Sequence, residues 1–125
     1  MDAIATDTAP AAIGPYSQAV RSGDLLFVSG QLPIDPETGE FAPGGSVAQM
    51  RQCMANIAAI AEAAGTSMAK TVKTTILVTD LSNFADLNAA YGESFSAPFP
   101  ARACYQVAAL PRGAMVEVEA VIELS

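Results

Sequence analysis

Apolar residues recur along this chain in two periods. Val47, Met50, Met54, Ile57, Ala61 and Ala64 fall at spacings of three and four, which predicts an amphipathic helix. Ser46 with Gln49 three residues on reads as a capping box at its start, and Gly65 as its stop. Phe84, Leu87, Tyr91 and Phe95 mark a second helix that ends before Pro98. Elsewhere the period is two. Val116-Glu117-Val118-Glu119-Ala120-Val121-Ile122 alternates, which predicts a strand over 115–124 with one buried face. Residues 72–78 are β-branched, and 17–21, 25–29 and 102–107 also read as strands. Ser22-Gly23-Asp24 is a hairpin signal between the first two. Residues 33–45 are rich in Pro and Gly and form a loop, whereas 1–12 are expected to be an ordered loop or frayed tail.

The resulting order is strand, strand, helix, strand, helix, strand, strand. Two helices covering one face of a single-layer mixed sheet give an α+β fold, and 125 residues form one domain over 1–125. The other sheet face still needs cover. In a small domain that cover comes most cheaply from further copies of the chain.

Composition sharpens this. Hydrophobic residues make up 51% and charged residues 15%, and mean hydropathy is +0.33. Much of the apolar count is alanine, yet the chain is apolar for a small monomer, which points to a large subunit interface. The net charge of −7 argues against nucleic-acid binding and against an anionic membrane surface. No apolar run is long enough to span a bilayer. Met1-Asp2-Ala3-Ile4 shows no basic region followed by an apolar one, and two cysteines make a poor disulfide framework, so a cytoplasmic protein with free thiols is expected. Histidine is absent. A Ser-His-Asp triad, a Cys-His pair and a His-ligated metal are therefore excluded within one chain, and no metal site is expected. Acid–base work falls to carboxylates, a thiol, tyrosine, water or the substrate.

Against that background Arg102 stands out, one of six cations, in Pro100-Ala101-Arg102-Ala103-Cys104. If the segment is extended, Arg102 and Cys104 share a face. A guanidinium fork suits a carboxylate-bearing small molecule, although a surface arginine also serves as an ion-pair partner or snorkelling residue. Cys104 reads as a pocket-lining thiol rather than a nucleophile, because no base is at hand; a nearby Arg102 would lower its pKa. Glu117 and Glu119 share a face, and a desolvated glutamate acts as acid or base near neutral pH. They also fit an ordinary half-exposed strand. If 108–114 closes a hairpin, Glu117 falls opposite about Cys104, but a one-residue slip sends it to the wrong face. Gly30, after Ser29 at a strand end, permits either a bend or close approach of a ligand. Tyr16 follows Gly14-Pro15 as packing or as an aromatic wall. Asn88 lies on the apolar stripe of the second helix and needs partners. Pro43-Gly44-Gly45-Ser46 lacks the lysine and spacing of a phosphate loop.

Taken together these segments resemble a known family. Ala11-Ala12-Ile13-Gly14-Pro15-Tyr16-Ser17-Gln18, Phe27-Val28-Ser29-Gly30-Gln31, Phe84-Ala85-Asp86-Leu87-Asn88, Phe99-Pro100-Ala101-Arg102-Ala103-Cys104, Leu110-Pro111-Arg112-Gly113 and Val116-Glu117-Val118-Glu119 are similar to the motifs of the reactive intermediate/imine deaminase (Rid) family, in its RidA-type subgroup. The resemblance covers nearly the whole chain. It implies a chorismate-mutase-like homotrimer with a pocket at each subunit interface. It implies hydrolysis of 2-imino acids, the tautomers of enamines such as 2-aminoacrylate released by pyridoxal-phosphate enzymes, to 2-keto acids and ammonia, with no cofactor. By the same resemblance Arg102 holds the substrate carboxylate, Glu117 positions or activates water, and Cys104, Tyr16, Ser29, Gly30 and Asn88 line the pocket. Two other readings are a non-catalytic module that binds keto or imino acids and, against the charge, an endoribonuclease or translation inhibitor.

Overall fold

The computed structural model describes residues 1–125. Its strands are β1 (Asp2–Ile4), β2 (Ala19–Ser22), β3 (Leu25–Gln31), β4 (Thr71–Val78), β5 (Ala101–Gln106) and β6 (Val116–Glu123); its helices are α1 (Gly45–Ala63) and α2 (Phe84–Gly92). The six strands form one sheet in the order β1-β2-β3-β6-β4-β5. Every pairing is antiparallel except β4 with β5. This is the α+β mixed sheet that the periodicity predicts.

One-sided burial explains the alternation in β6. Val116, Val118, Ala120 and Ile122 are buried while Glu119 and Glu123 are exposed. Their row meets Leu26 and Val28 of β3 and Thr74, Ile76 and Val78 of β4. Met50, Cys53, Met54, Ile57, Ile60 and Ala61 of α1 close the core with Leu87, Ala90 and Tyr91 of α2. Burying a Leu or Ile side chain completely stabilises by roughly 1.5–3 kcal/mol, so this layer carries the fold. Cys53 is sealed within it, its thiol donating to Val116 O at 3.7 Å. Burial, and secondarily Glu117, pushes its pKa well above the ordinary thiol value.

The opposite sheet face has neither helix over it. Val20, Phe27, Val121, Thr75, Leu77 and Tyr105 point that way by register, and Phe27 and Tyr105 are 43% and 58% exposed.

Several expectations are corrected. The N-terminal residues are not a tail: Asp2–Ile4 pair with Ala19–Arg21. Buried Gln18 secures residues 6–10, its amide nitrogen donating to Thr6 O, Ala9 O and Pro10 O while its oxygen accepts from Thr6 N–H. There is no capping box. Gly44 occupies the N-cap at φ 115 with no side-chain cap. Ser46 instead accepts from Asn83 Nδ2 at 2.7 Å, and Gln49 from Met115 N–H at 2.8 Å. The second helix stops at Gly92; Phe95 lies beyond it, its ring 5.0 Å from that of Tyr91. Finally, β5 and β6 are not a hairpin, because β4 lies between them.

Candidate active site

The position of β4 between β5 and β6 decides the geometry. Glu117 pairs with Leu77, and Leu77 with Tyr105; Arg102 pairs with Thr74, and Thr74 with Ala120. Paired residues project to the same side of a sheet. Glu117 therefore stands on the open face, while Arg102 and Cys104 stand on the helix-covered side. The guanidinium, thiol and carboxylate do not converge within one chain. The guanidinium and the carboxylate line two separate cavities.

The first, about 630 Å³, is lined among others by Tyr16, Ser29, Gly30, Arg112, Glu117 and Glu119. The register of β3 against β6 shifts between Val28 and Gln31, and this irregularity places Gly30 under the Glu117 side chain. A Cβ on Gly30 would lie 2.7 Å from Glu117 Oε2 and 3.0 Å from its Cδ. What approaches this glycine closely within the chain is therefore the carboxylate of Glu117. Burial first, and the charge of Glu119 second, raise the pKa of Glu117 above the ordinary glutamate value, the direction a base working near neutral pH requires. Ser29 is tied back, its hydroxyl donating to Ser17 O and its N–H to Gln18 O. Tyr16 is half-exposed at the rim, and its hydroxyl accepts from Ile13 N–H at 3.3 Å.

The second cavity, about 490 Å³, is lined by Asn88, Tyr91, Gly92, Phe99, Pro100 and Arg102. The guanidinium carbon of Arg102 lies 5.4 Å from the Phe84 ring centroid and 5.2 Å from that of Tyr91, and Nη1 donates to Asn88 Oδ1. Phe84, Asn88 and Tyr91 recur at helical spacing on α2, so one helix face grips the cation. Tyr91 is itself held by a buried bond between its hydroxyl and that of Thr74, 2.6 Å apart. Arg102 has no carboxylate partner; the chain's ion pair joins Arg51 and Glu93. Cys104 sits on the same face, partly buried against the core and outside the lining of this cavity. Contrary to expectation its thiol pKa is raised: desolvation outweighs the pull of Arg102.

Phe84 and Tyr91 enter the site although their helical spacing reads simply as core. Arg112 lines the first cavity, and only its place in the 110–113 turn marked it. No three His, Cys, Asp or Glu side chains lie close enough together to hold a metal ion.

Residues 6–124 match the model of the family described as endoribonuclease L-PSP. A RutC family protein, y4sK, from Sinorhizobium fredii is 62% identical over 125 residues, covering 100% of this chain and 99% of that one. The 2-iminobutanoate/2-iminopropanoate deaminase of Escherichia coli K12 is 50% identical over 121 residues, 94% of each chain. The crystal structure of E. coli TdcF with bound serine superposes with a TM-score of 0.93 at 41% identity, covering 100% of both chains.

Proposed function

This chain belongs to the endoribonuclease L-PSP family, that of the YjgF/RidA proteins, and on that premise we propose that it hydrolyses 2-imino acids to 2-keto acids and ammonia. The observation that carries the reading is the split between the two cavities. One holds an unpaired, aromatic-caged guanidinium; the other holds a half-buried carboxylate with a raised pKa. Each is half of a hydrolytic site, and each faces outward. A second copy packed on the open sheet face supplies the missing half. We take the assembly to be a homotrimer, with Arg102 of one copy opposite Glu117 of the next.

The chemistry is modest in its demands. Arg102 anchors the α-carboxylate through its free edge. The C=N carbon is thereby set against Glu117, which takes a proton from water as the oxygen attacks that carbon. With the imine nitrogen entering protonated, this gives a neutral amino alcohol. The protonated Glu117 hands its proton to that nitrogen, and the carboxylate so freed takes the hydroxyl proton as the C–N bond breaks, ammonia departs and the C=O forms. No covalent enzyme intermediate is needed, and Cys104 is given no step. The substrates include small imino acids, such as the imine tautomer of 2-aminoacrylate, released by pyridoxal-phosphate dehydratases in the cytoplasm. The serine bound by TdcF is a ligand of this size class. Neither nucleic acid nor membrane is among the partners proposed: the net charge is −7 and no helix is long and apolar enough to cross a membrane.

The direct test is a threonine dehydratase reaction run with semicarbazide present. Adding the protein should speed 2-keto acid release and reduce the semicarbazide adduct. No change with any imino acid overturns the deaminase reading in favour of a binding module for keto acids.

A further inference from the structure

Arg112 is the one cation on the walls of the Glu117 cavity, whose other charged lining residues are Glu117 and Glu119. Its backbone is unusual. At φ 59 and ψ 19 it is the only residue other than glycine with positive φ, a region that a side chain of this size seldom occupies. The Pro111–Gly113 turn that imposes it is followed directly by β6 and Glu117. The side chain is also fixed from below. Its guanidinium carbon lies 5.2 Å from the centroid of the Phe41 ring, and Nη2 donates to Gly39 O at 3.4 Å. Phe41 is in turn bridged to Ile34 by backbone pairing, and Ile34 lines the same cavity. Arg112 thus resembles Arg102 in its aromatic seat and in lacking a carboxylate partner, since the single ion pair lies elsewhere.

A strained, ring-supported, unpaired guanidinium in a binding cavity has a use that structure alone does not supply. We propose that Arg112 is a second anchor for a carboxylate, and that it selects imino acids whose side chain ends in one. This rests on the deaminase reading, in which Arg102 of a neighbouring copy takes the α-carboxylate. With that end fixed and the C=N carbon at Glu117, the substrate side chain extends into the cavity of about 630 Å³, past Ile34 toward Arg112. Space of that size exceeds what a three- or four-carbon acid fills. A terminal carboxylate also offsets the repulsion from Glu119 only if a cation receives it.

Binding and turnover test this separately. Titration calorimetry with 2-oxoglutarate and 2-oxopentanoate compares one five-carbon chain with and without the terminal carboxylate. The wild-type protein should bind 2-oxoglutarate roughly tenfold more tightly, and the preference should shrink with added salt. R112Q should abolish the preference, bringing 2-oxoglutarate affinity down to that of 2-oxopentanoate measured in the same variant. R112K should keep part of it, because charge remains without the fork. Equal wild-type affinities, or a preference that survives R112Q, would overturn the proposal. Turnover of 2-iminoglutarate and 2-iminopentanoate should show the same ratio in kcat/KM. If neither is hydrolysed while the binding preference holds and responds to R112Q, the deaminase reading fails and the anchor stands.

Discussion

Glu117 and Gly30 form a single unit at the residue scale. The absence of a side chain at residue 30 is what lets the carboxylate lie across β3. Gly30→Ala should displace that carboxylate and lower kcat by roughly ten- to a hundredfold. A crystal structure of the variant with Glu117 unmoved, or unchanged kcat, would refute the pairing. Glu117→Gln keeps shape but removes the base, so turnover should fall on the order of 10²-fold while keto-acid affinity holds or improves. Arg102→Ala should instead lose affinity in parallel with kcat/KM, by roughly tenfold to a few hundredfold. Stability gives an independent reading. Because the native pKa of Glu117 is raised, the native state holds this proton more tightly than the unfolded chain. The cost of ionising it is absent below the ordinary glutamate value and grows as pH rises through the native one. Glu117→Gln should therefore raise Tm at neutral pH and leave it unchanged at pH values below the ordinary one. A Tm difference that is independent of pH would contradict this. The side-chain types were legible in the sequence, since a lone arginine among apolar residues and acids in an apolar strand stand out. Local parity was legible too: Arg102 with Cys104, Glu117 with Glu119. Which faces those pairs share was not, because the answer depends on the register of a third strand.

Helix α2 is the element that makes Arg102 usable. Its Phe84, Asn88 and Tyr91 hold the guanidinium from two ring faces and one amide. A cation–π contact at an exposed site contributes about 0.5–1 kcal/mol. Phe84→Leu should accordingly weaken keto-acid binding by roughly two- to fivefold, read by calorimetry. Tyr91→Phe should do the reverse: the ring stays, so affinity stays, but the buried Thr74 hydroxyl loses its partner, at a cost of about 1–3 kcal/mol in unfolding free energy. Equal effects of the two substitutions on affinity would show that α2 merely packs. The helices and the long strands could be read from periodicity because each buries one side only. β1 could not, since three residues carry no period and are held by contacts with Ala19–Arg21 distant in sequence. The misread cap has the same origin: Ser46 and Gln49 bond to Asn83 and Met115, partners that local sequence does not reveal. The order β6-β4-β5 was likewise hidden, because consecutive strands usually neighbour one another and β5 and β6 do not.

For the whole molecule, the sheet separates Arg102 from Glu117 within one copy, and under the proposed hydrolysis a single copy is incomplete. If the sites are composite, two inactive variants should rescue each other. Arg102→Ala chains retain Glu117, and Glu117→Gln chains retain Arg102. After denaturation, mixing in equal amounts and refolding, about a quarter of the sites in a closed ring should regain both groups, with activity recovered in proportion. Refolding each variant alone should recover only its own residual activity. A mixture as inactive as its components, or a monomer by light scattering at micromolar concentration, would remove the composite site. The sheet with helices on only one face was legible in the order of the elements. Cys53 adds a different property. Its sulfur lies at the centre of the layer between α1 and β6, reluctant to ionise and shut off from solvent. In a Cys104→Ala background it becomes a clock. Modification by a thiol reagent should proceed only as fast as the sandwich opens, so the labelling half-time reports the lifetime of the closed protein. Ligand that ties neighbouring copies together should lengthen that half-time before any change in catalytic rate is measured.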